Sequence, residues 1–113
     1  MIGTLYKIER RPVDDGVVRL VLSGEFDLAA DKDLGEQLLA VLERDHPAEV
    51  CVDLDNVTFI DSTAVHALCR GYQAASSTGT RWYVLNAHGL VRDVLRVTGV
   101  WETLSRQGNA ANA

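Results

Sequence analysis

Two adjacent hydroxyls follow a carboxylate at Asp61-Ser62-Thr63. An apolar strand at residues 50–54 runs into this stretch, and an apolar-periodic segment at 65–72 runs out of it. The triplet reads as a strand-to-helix loop ending on a helix N-cap. Ser and Asp are favoured there because their oxygens accept hydrogen bonds from the free N–H groups of the first turn. Two roles are open to Ser62. It is a cap and nothing more, which spacing alone favours, or it is a hydroxyl to which phosphate is added. A helix N-terminus suits the second role through its exposed N–H donors and partial positive charge.

Other chemistry finds little support. A nucleophilic serine needs a general base and an oxyanion site. His46, His66 and His88 offer only the right residue type. His66 follows Ser62 by four residues on the same expected helix, which does not make a triad. His46 reads as an exposed helix-end residue and His66 as an exposed one off the apolar stripe. No Gly-x-Ser-x-Gly elbow, phosphate loop or dinucleotide fingerprint occurs, so the chain reads as a non-enzyme with no cofactor. Asp53, Asp55 and Asp61 lack the further oxygen ligands that a metal cage needs. Cys51 and Cys69 have neither metal nor redox-motif spacing and read as reduced core residues of a cytoplasmic protein.

The elements that hold the triplet follow from hydrophobic period and turn chemistry. Residues 5–11 suggest a short edge strand, stopped by Pro12, with Asp14-Asp15-Gly16 as the turn. Residues 17–26 place Val18, Leu20 and Leu22 on one face, a strand that pairs with the first as an antiparallel hairpin. Asp27 reads as the N-cap of a helix over 28–44, whose stripe is Leu34, Leu38 and Leu42, widened by Leu39 and Val41. His46-Pro47 stops it. The strand at 49–55 turns Val50, Val52 and Leu54 inward, with Cys51 and Asp53 on its other face. A helix over 64–76 has Val65, Leu68 and Tyr72 as its inward stripe, with Cys69 beside it, and ends near Gly79. A strand at 81–86 follows, with Trp82 as a sheet-packing residue. The next helix uses Leu90, Val91, Val94, Leu95 and Thr98 and stops at Gly99. A small strand or turn at 100–104 closes the core, and 106–113 reads as a frayed tail.

With 113 residues, 47% of them hydrophobic, the chain suits one domain with a real core. A net charge of −5 argues against direct nucleic-acid binding, which leans on Lys and Arg. No apolar run is long enough to cross a bilayer, and the first residues lack the basic and apolar regions of a signal peptide. Alternating strands and helices with short connections give an α/β fold with right-handed crossovers.

The stretch Val57-Thr58-Phe59-Ile60-Asp61-Ser62-Thr63-Ala64-Val65 resembles the signature of the STAS domain, in particular that of bacterial anti-sigma factor antagonists. Gly24-Glu25-Phe26-Asp27 is similar to that family's Gly-Glu-aliphatic-Asp element, with Phe26 in the aliphatic place. The turn, apolar helix and Thr98-Gly99-Val100 end also match its last third. The resemblance covers about residues 5–105 of a single domain spanning 1–113. It implies a mixed central β-sheet with helices packed mainly on one side.

The same resemblance implies a function. Such antagonists bind a serine-kinase anti-sigma factor and so free a sigma factor for stress-responsive transcription. The kinase inactivates the antagonist by phosphorylating the serine after the Asp, here Ser62, with Thr63 as the alternative acceptor. A phosphatase restores it. The implied partner surface comprises Asp27, Asp61, Ser62, Thr63 and Ala64, with no membrane partner. One departure stands out, because Ala64 occupies a position that is usually Gly. If that position needs a positive φ, docking weakens; if it is helical, Ala64 stabilises the helix. The alternative function is a non-catalytic STAS scaffold in a stress-signalling assembly.

Overall fold

Pairing of alternating apolar residues builds one sheet, as seen in a computed structural model that describes residues 5–13 and 15–105. Strand β1 (Tyr6–Pro12) lies antiparallel to β2 (Val17–Phe26), from Tyr6 opposite Gly24 to Pro12 opposite Val18. Asp15 and Gly16 turn the hairpin with φ of 62° and 78°, while Asp14 lies outside the described residues. Pro12 takes the last place of this edge strand, where a missing N–H costs least.

Helix α1 (Leu28–Asp45) leads to β3 (Glu49–Ile60), and α2 (Ser62–Ser77) leads to β4 (Arg81–Leu85). β3 lies parallel to both β2 and β4, giving the order β1-β2-β3-β4 and a mixed sheet. Helices α3 (Gly89–Val97) and α4 (Trp101–Ser105) complete the described chain. The last element is thus a short helix rather than a strand or turn, and the expected frayed tail at 106–113 lies outside the described residues.

The core sits on one face of the sheet. Val18, Leu20 and Leu22 of β2, Val50, Val52 and Leu54 of β3, and Trp82 and Val84 of β4 all point into it. Residues from all four helices meet them there, among them Leu34, Leu38, Leu68, Leu95 and Leu104. The helices therefore pack on the same side, as the alternation of the strands requires.

Three stripes differ from expectation. Leu39 is 41% exposed, beside the cleft between α1 and α2, because Leu34, Leu38, Val41 and Leu42 already fill the buried arc of α1. The buried face of α2 is mostly small: Ala64, Ala67, Gly71 and Ala75 accompany Val65 and Leu68, while Tyr72 is half-buried. Gly71 abuts the Trp82 ring so closely that an added Cβ would lie 2.7 Å from Cη2. On α3, Val91 and Leu95 are buried but Leu90 is 52% exposed.

β3 runs to Ile60, past the expected end at residue 55. Register shifts between Val21 and Ser23 and between Gly24 and Glu25 absorb the irregular stretch, so that Phe26 still pairs with Ile60. Such bulges let a strand continue while re-aiming its side chains, and here they bury Val57 and Ile60. Gly24 sits at this bend with φ 93°, and a Cβ there would meet the backbone of Leu5 and Tyr6. The glycine is thus a requirement of the edge pairing.

The opposite sheet face carries a polar lattice. Arg19 Nη2 donates to Asp53 Oδ2 at 2.7 Å, and Asn86 Nδ2 and the Asp55 N–H donate to Asp53 Oδ1 at 3.0 Å each. Tyr83 Oη donates to Glu49 Oε2 at 2.6 Å, and Arg81 pairs with Glu49 at 3.1 Å. Cys51 is buried beneath these groups as a free thiol, and Cys69 is a half-buried free thiol on α2. Among the described residues, no helix is long and apolar enough to cross a membrane.

Candidate functional site

Parallel strands β2 and β3 end side by side, and each feeds a helix. The Asp61 N–H donates to the Phe26 carbonyl at 3.2 Å, which ties the two strand ends together. Asp27 and Asp61 follow those ends directly, and both cap helices. Asp27 accepts from the Ala29 N–H at 2.9 Å. Asp61 accepts from the N–H groups of Thr63 and Ala64 at 3.0 and 3.1 Å, and from the Thr63 hydroxyl at 2.6 Å. The mouths of α1 and α2 therefore open next to each other, at the C-terminal end of the parallel strands, where open α/β sheets place their sites.

This geometry corrects the role expected of Ser62. The cap of α2 is Asp61, with extended backbone at φ −117°, and Ser62 is already the first helical residue. Asp competes equally well for a cap position, and the two residues after it are free to turn helical. Ser62 is exposed, and among the described residues its hydroxyl makes no hydrogen bond. Thr63 is half-buried, with its hydroxyl donated to the cap. Of the two adjacent hydroxyls, one is free and one is committed.

Ala64 settles within the helix and is 1% exposed. It is not among the residues with positive φ. Of the two consequences open to the alanine, the structure realises helix stabilisation, worth about 1 kcal/mol over glycine.

The Asp61 carboxyl lies below the usual carboxylate range. Burial pushes it up, but the hydrogen bonds from the Thr63 hydroxyl and the Ala64 and Thr63 N–H groups together outweigh burial. Asp61 is thus a fixed negative charge at neutral pH. Leu28, 71% exposed, and Phe59, 38% exposed, flank the two helix mouths with apolar surface.

A groove of about 350 Å³ opens beside Ser62. Ser62, Thr63, Val65, His66 and Cys69 of α2 form one wall, and Thr98 and Val100 of the α3–α4 connection form the other. Sequence pattern does not join these residues, since the second wall (residues 98–100) follows the first (residues 62–69) only after a further strand and helix. Burial pushes the Cys69 thiol up. His88, at the start of α3, contacts the Asp55 carbonyl through Nε2 at 2.9 Å, away from this groove. His46 is exposed at the end of α1, in the left-handed region with φ 43°. Asp53 is held in the sheet lattice and Asp55 faces His88, so neither joins Asp61 at a shared point.

Residues 10–105 match the family model described as Mlab, STAS domain. No curated protein matches the chain by sequence. Among solved structures, an anti-sigma factor antagonist from Mycobacterium paratuberculosis is similar, with a TM-score of 0.76 and 23% identity over 96% of this chain and 95% of that one. The anti-sigma factor antagonist SpoIIAA in its unphosphorylated form gives a TM-score of 0.67 at 18% identity, over 80% of this chain and 82% of that one. A sulfate transporter family protein from Wolinella succinogenes gives 0.69 at 22% identity, over 86% of this chain and 78% of that one.

Proposed function

Because the chain belongs to the STAS domain family, and carries a free hydroxyl at the mouth of α2, we propose that it is an anti-sigma factor antagonist switched by phosphorylation of Ser62. The observation that carries this reading is the contrast between the two hydroxyls. Ser62 is exposed and unbonded among the described residues, whereas Thr63 Oγ1 is tied to Asp61 at 2.6 Å.

In its unphosphorylated form the protein docks a serine-kinase anti-sigma factor through the surface around Asp27, Asp61, Ser62 and Thr63, with Leu28 and Phe59 as apolar anchors, while Ala64, buried within α2, supports that surface from beneath rather than touching the partner. The kinase transfers the γ-phosphoryl group of ATP to Ser62 Oγ. The new P–O bond forms as the bond to ADP breaks, and the hydroxyl proton passes to a base of the kinase. The product carries close to two added negative charges beside the capping carboxylates of Asp61 and Asp27. A partner packed against that surface is then expelled by repulsion and by the cost of desolvating the phosphate. Hydrolysis by a phosphatase restores binding. The domain itself needs no cofactor for this role, and transcription responds through the sigma factor that the partner releases.

The test is phosphosite mapping. The purified protein is mixed with candidate anti-sigma kinases of its source organism and Mg-ATP, and the phosphate is located by peptide mass spectrometry. The expected result is phosphate on Ser62 that is absent in Ser62→Ala and retained in Thr63→Val. Phosphate on Thr63 instead, or on neither residue from every candidate, overturns the reading.

A second reading has one observation in its favour. The likeness to the Wolinella sulfate transporter family protein is as close as that to SpoIIAA. A STAS domain acting as a scaffold self-assembles stably and is indifferent to Ser62→Asp, and size-exclusion chromatography with light scattering separates the two readings.

A further inference from the structure

We propose that β1 is the contact edge of a weak dimer, in which a second copy of this chain pairs its own β1 antiparallel about a two-fold axis at Ile8. This pairing is independent of the phospho-switch reading. Ser62 follows β3, and β2 separates β3 from the β1 edge.

The phase of the hairpin ladder fixes which groups this edge offers. Antiparallel strands alternate between residue pairs that exchange backbone hydrogen bonds and pairs that exchange none. The Glu25 N–H donates to the Leu5 carbonyl at 2.9 Å, and the Val13 N–H donates to the Val17 carbonyl at 2.8 Å. The register between these two pairs is unbroken. Lys7, Glu9 and Arg11 therefore turn their N–H and C=O groups toward β2, and Tyr6, Ile8 and Arg10 turn theirs outward. Among the described residues, these outward groups have no backbone partner. Pro12, next in the same phase, has no N–H and ends the usable edge.

An open edge is a template for another strand, and charges on it usually discourage pairing. Here the charges select one register. Lys7, Glu9 and Arg11 share the sheet face away from the helices. Tyr6 and Ile8 pack against the core on the other face, where Arg10 is tied to Asp45 of α1 at 2.6 Å. An axis at Lys7 would set Lys7 against its own copy. An axis at Glu9 would set Glu9 against its copy and Lys7 against the partner's Arg11. An axis at Arg10 would set Arg10 against its copy and bring Pro12 opposite Ile8. An axis at Tyr6 would leave Arg10 unpaired. With the axis at Ile8, Lys7 faces the partner's Glu9 on both sides of the axis, Ile8 faces its own copy, and Tyr6 faces the partner's Arg10. No like charges meet, and all the outward backbone groups of Tyr6, Ile8 and Arg10 find partners. The patch is thus complementary to itself, as a two-fold interface requires. It is one strand wide, so the dimer dissociates on dilution.

The test is sedimentation of the full chain from about 10 μM to about 1 mM, the range of a weak contact. Monomer should pass into dimer across it, in contrast to the dilution-resistant assembly of a scaffold. Amide exchange followed by NMR should show protection of Tyr6, Ile8 and Arg10 rising with concentration, while Lys7, Glu9 and Arg11 are protected throughout. Glu9→Lys or Lys7→Glu, each alone, sets like charges opposite at both symmetric positions and should weaken the dimer about tenfold. Mixing the two variants sets unlike charges opposite again and should restore association as a mixed dimer. Circular dichroism confirms that each variant is folded. A monomer at every concentration overturns the proposal and leaves this edge to a strand from a different protein. A dimer indifferent to both substitutions, or one without the alternating protection, uses another surface and overturns it equally.

Discussion

Removing the Asp61 carboxylate should loosen the mouth of α2 by an amount that can be worked out from its bonds. Asp61→Ala removes the acceptor for two backbone N–H groups and for the Thr63 hydroxyl. Loss of a helix cap costs about 1 kcal/mol, within a range of about 0.5–2. The Thr63 hydroxyl, half-buried and left without its acceptor, adds about 1 kcal/mol. The expected loss is about 2 kcal/mol. For a chain of 113 residues, unfolding entropy converts each kcal/mol into about 4 °C, so the melting temperature should fall by about 8 °C. Asp27→Ala is the internal comparison, because among the described residues the Asp27 carboxylate accepts from the Ala29 N–H alone. It should cost about 1 kcal/mol. Asp61→Asn keeps a cap oxygen and should cost less than Asp61→Ala. Urea unfolding followed by circular dichroism measures all three at constant slope. An Asp61→Ala protein as stable as wild type, or no less stable than Asp27→Ala, would refute the argument that the triple acceptance holds this helix mouth.

Three further outcomes are expected. Gly71→Ala should destabilise by about 1–2 kcal/mol in the same assay, because the clash with the Trp82 ring outweighs the gain in helix propensity, and a stabilised variant would mean the ring moves freely. Gly24→Ala should cost at least about 2 kcal/mol, since it meets both a left-handed φ and the backbone of Leu5 and Tyr6, and hydrogen exchange should report loss of protection in β1 first. Acid should weaken the sheet lattice through Asp53. Burial pushes its carboxyl up, but hydrogen bonds from Arg19, Asn86 and the Asp55 N–H hold it below the usual range. A carboxyl depressed in the folded state contributes stability above its unfolded pKa of about 4 and loses it as pH falls further. Asp53→Asn should therefore lower stability at pH 7 and flatten the decline below pH 4, and an unchanged acid limb in urea titrations would count against this assignment.

Local pattern carried much of the fold. The alternation of Val18, Leu20 and Leu22 placed β2, the four-residue repeat of Leu34, Leu38 and Leu42 placed α1, and Asp27 declared its cap. What escaped depended on distant partners. β3 reads as ending at residue 55 because Asp55-Asn56 breaks the alternation, and only pairing with β2 through shifted register carries the strand to Ile60. The inward face of α2 was hard to read because alanine and glycine give weak hydrophobic signals, and their role depends on Trp82 from another element. Strand alternation puts Asp53 on the face away from the core, where it does lie, but its burial there comes from Arg19 and Asn86, neither adjacent in sequence. At the site, the Asp-Ser-Thr triplet was legible, yet which oxygen caps the helix was not. The choice between Asp61 and Ser62 depends on backbone angles that one residue type does not set. The Ala-for-Gly departure at position 64 is resolved only by its place inside the helix.

The small-residue face of α2 also bears on how fast a partner could be exchanged. Ala64, Ala67, Gly71 and Ala75 let the helix axis come close to the sheet, and few long side chains intervene to slide or re-pack. The turn bearing Ser62 is thus fixed when the domain folds, and a visitor would find a ready-made relief that needs no remodelling. Recognition by such a preorganised surface loses little entropy at the moment of contact. For a partner docked as proposed, the association rate would be set by diffusion and long-range attraction, and the lifetime by the charge at the helix mouth. A rigid platform of this kind favours an on–off device that acts through dissociation rates, with the backbone as bystander.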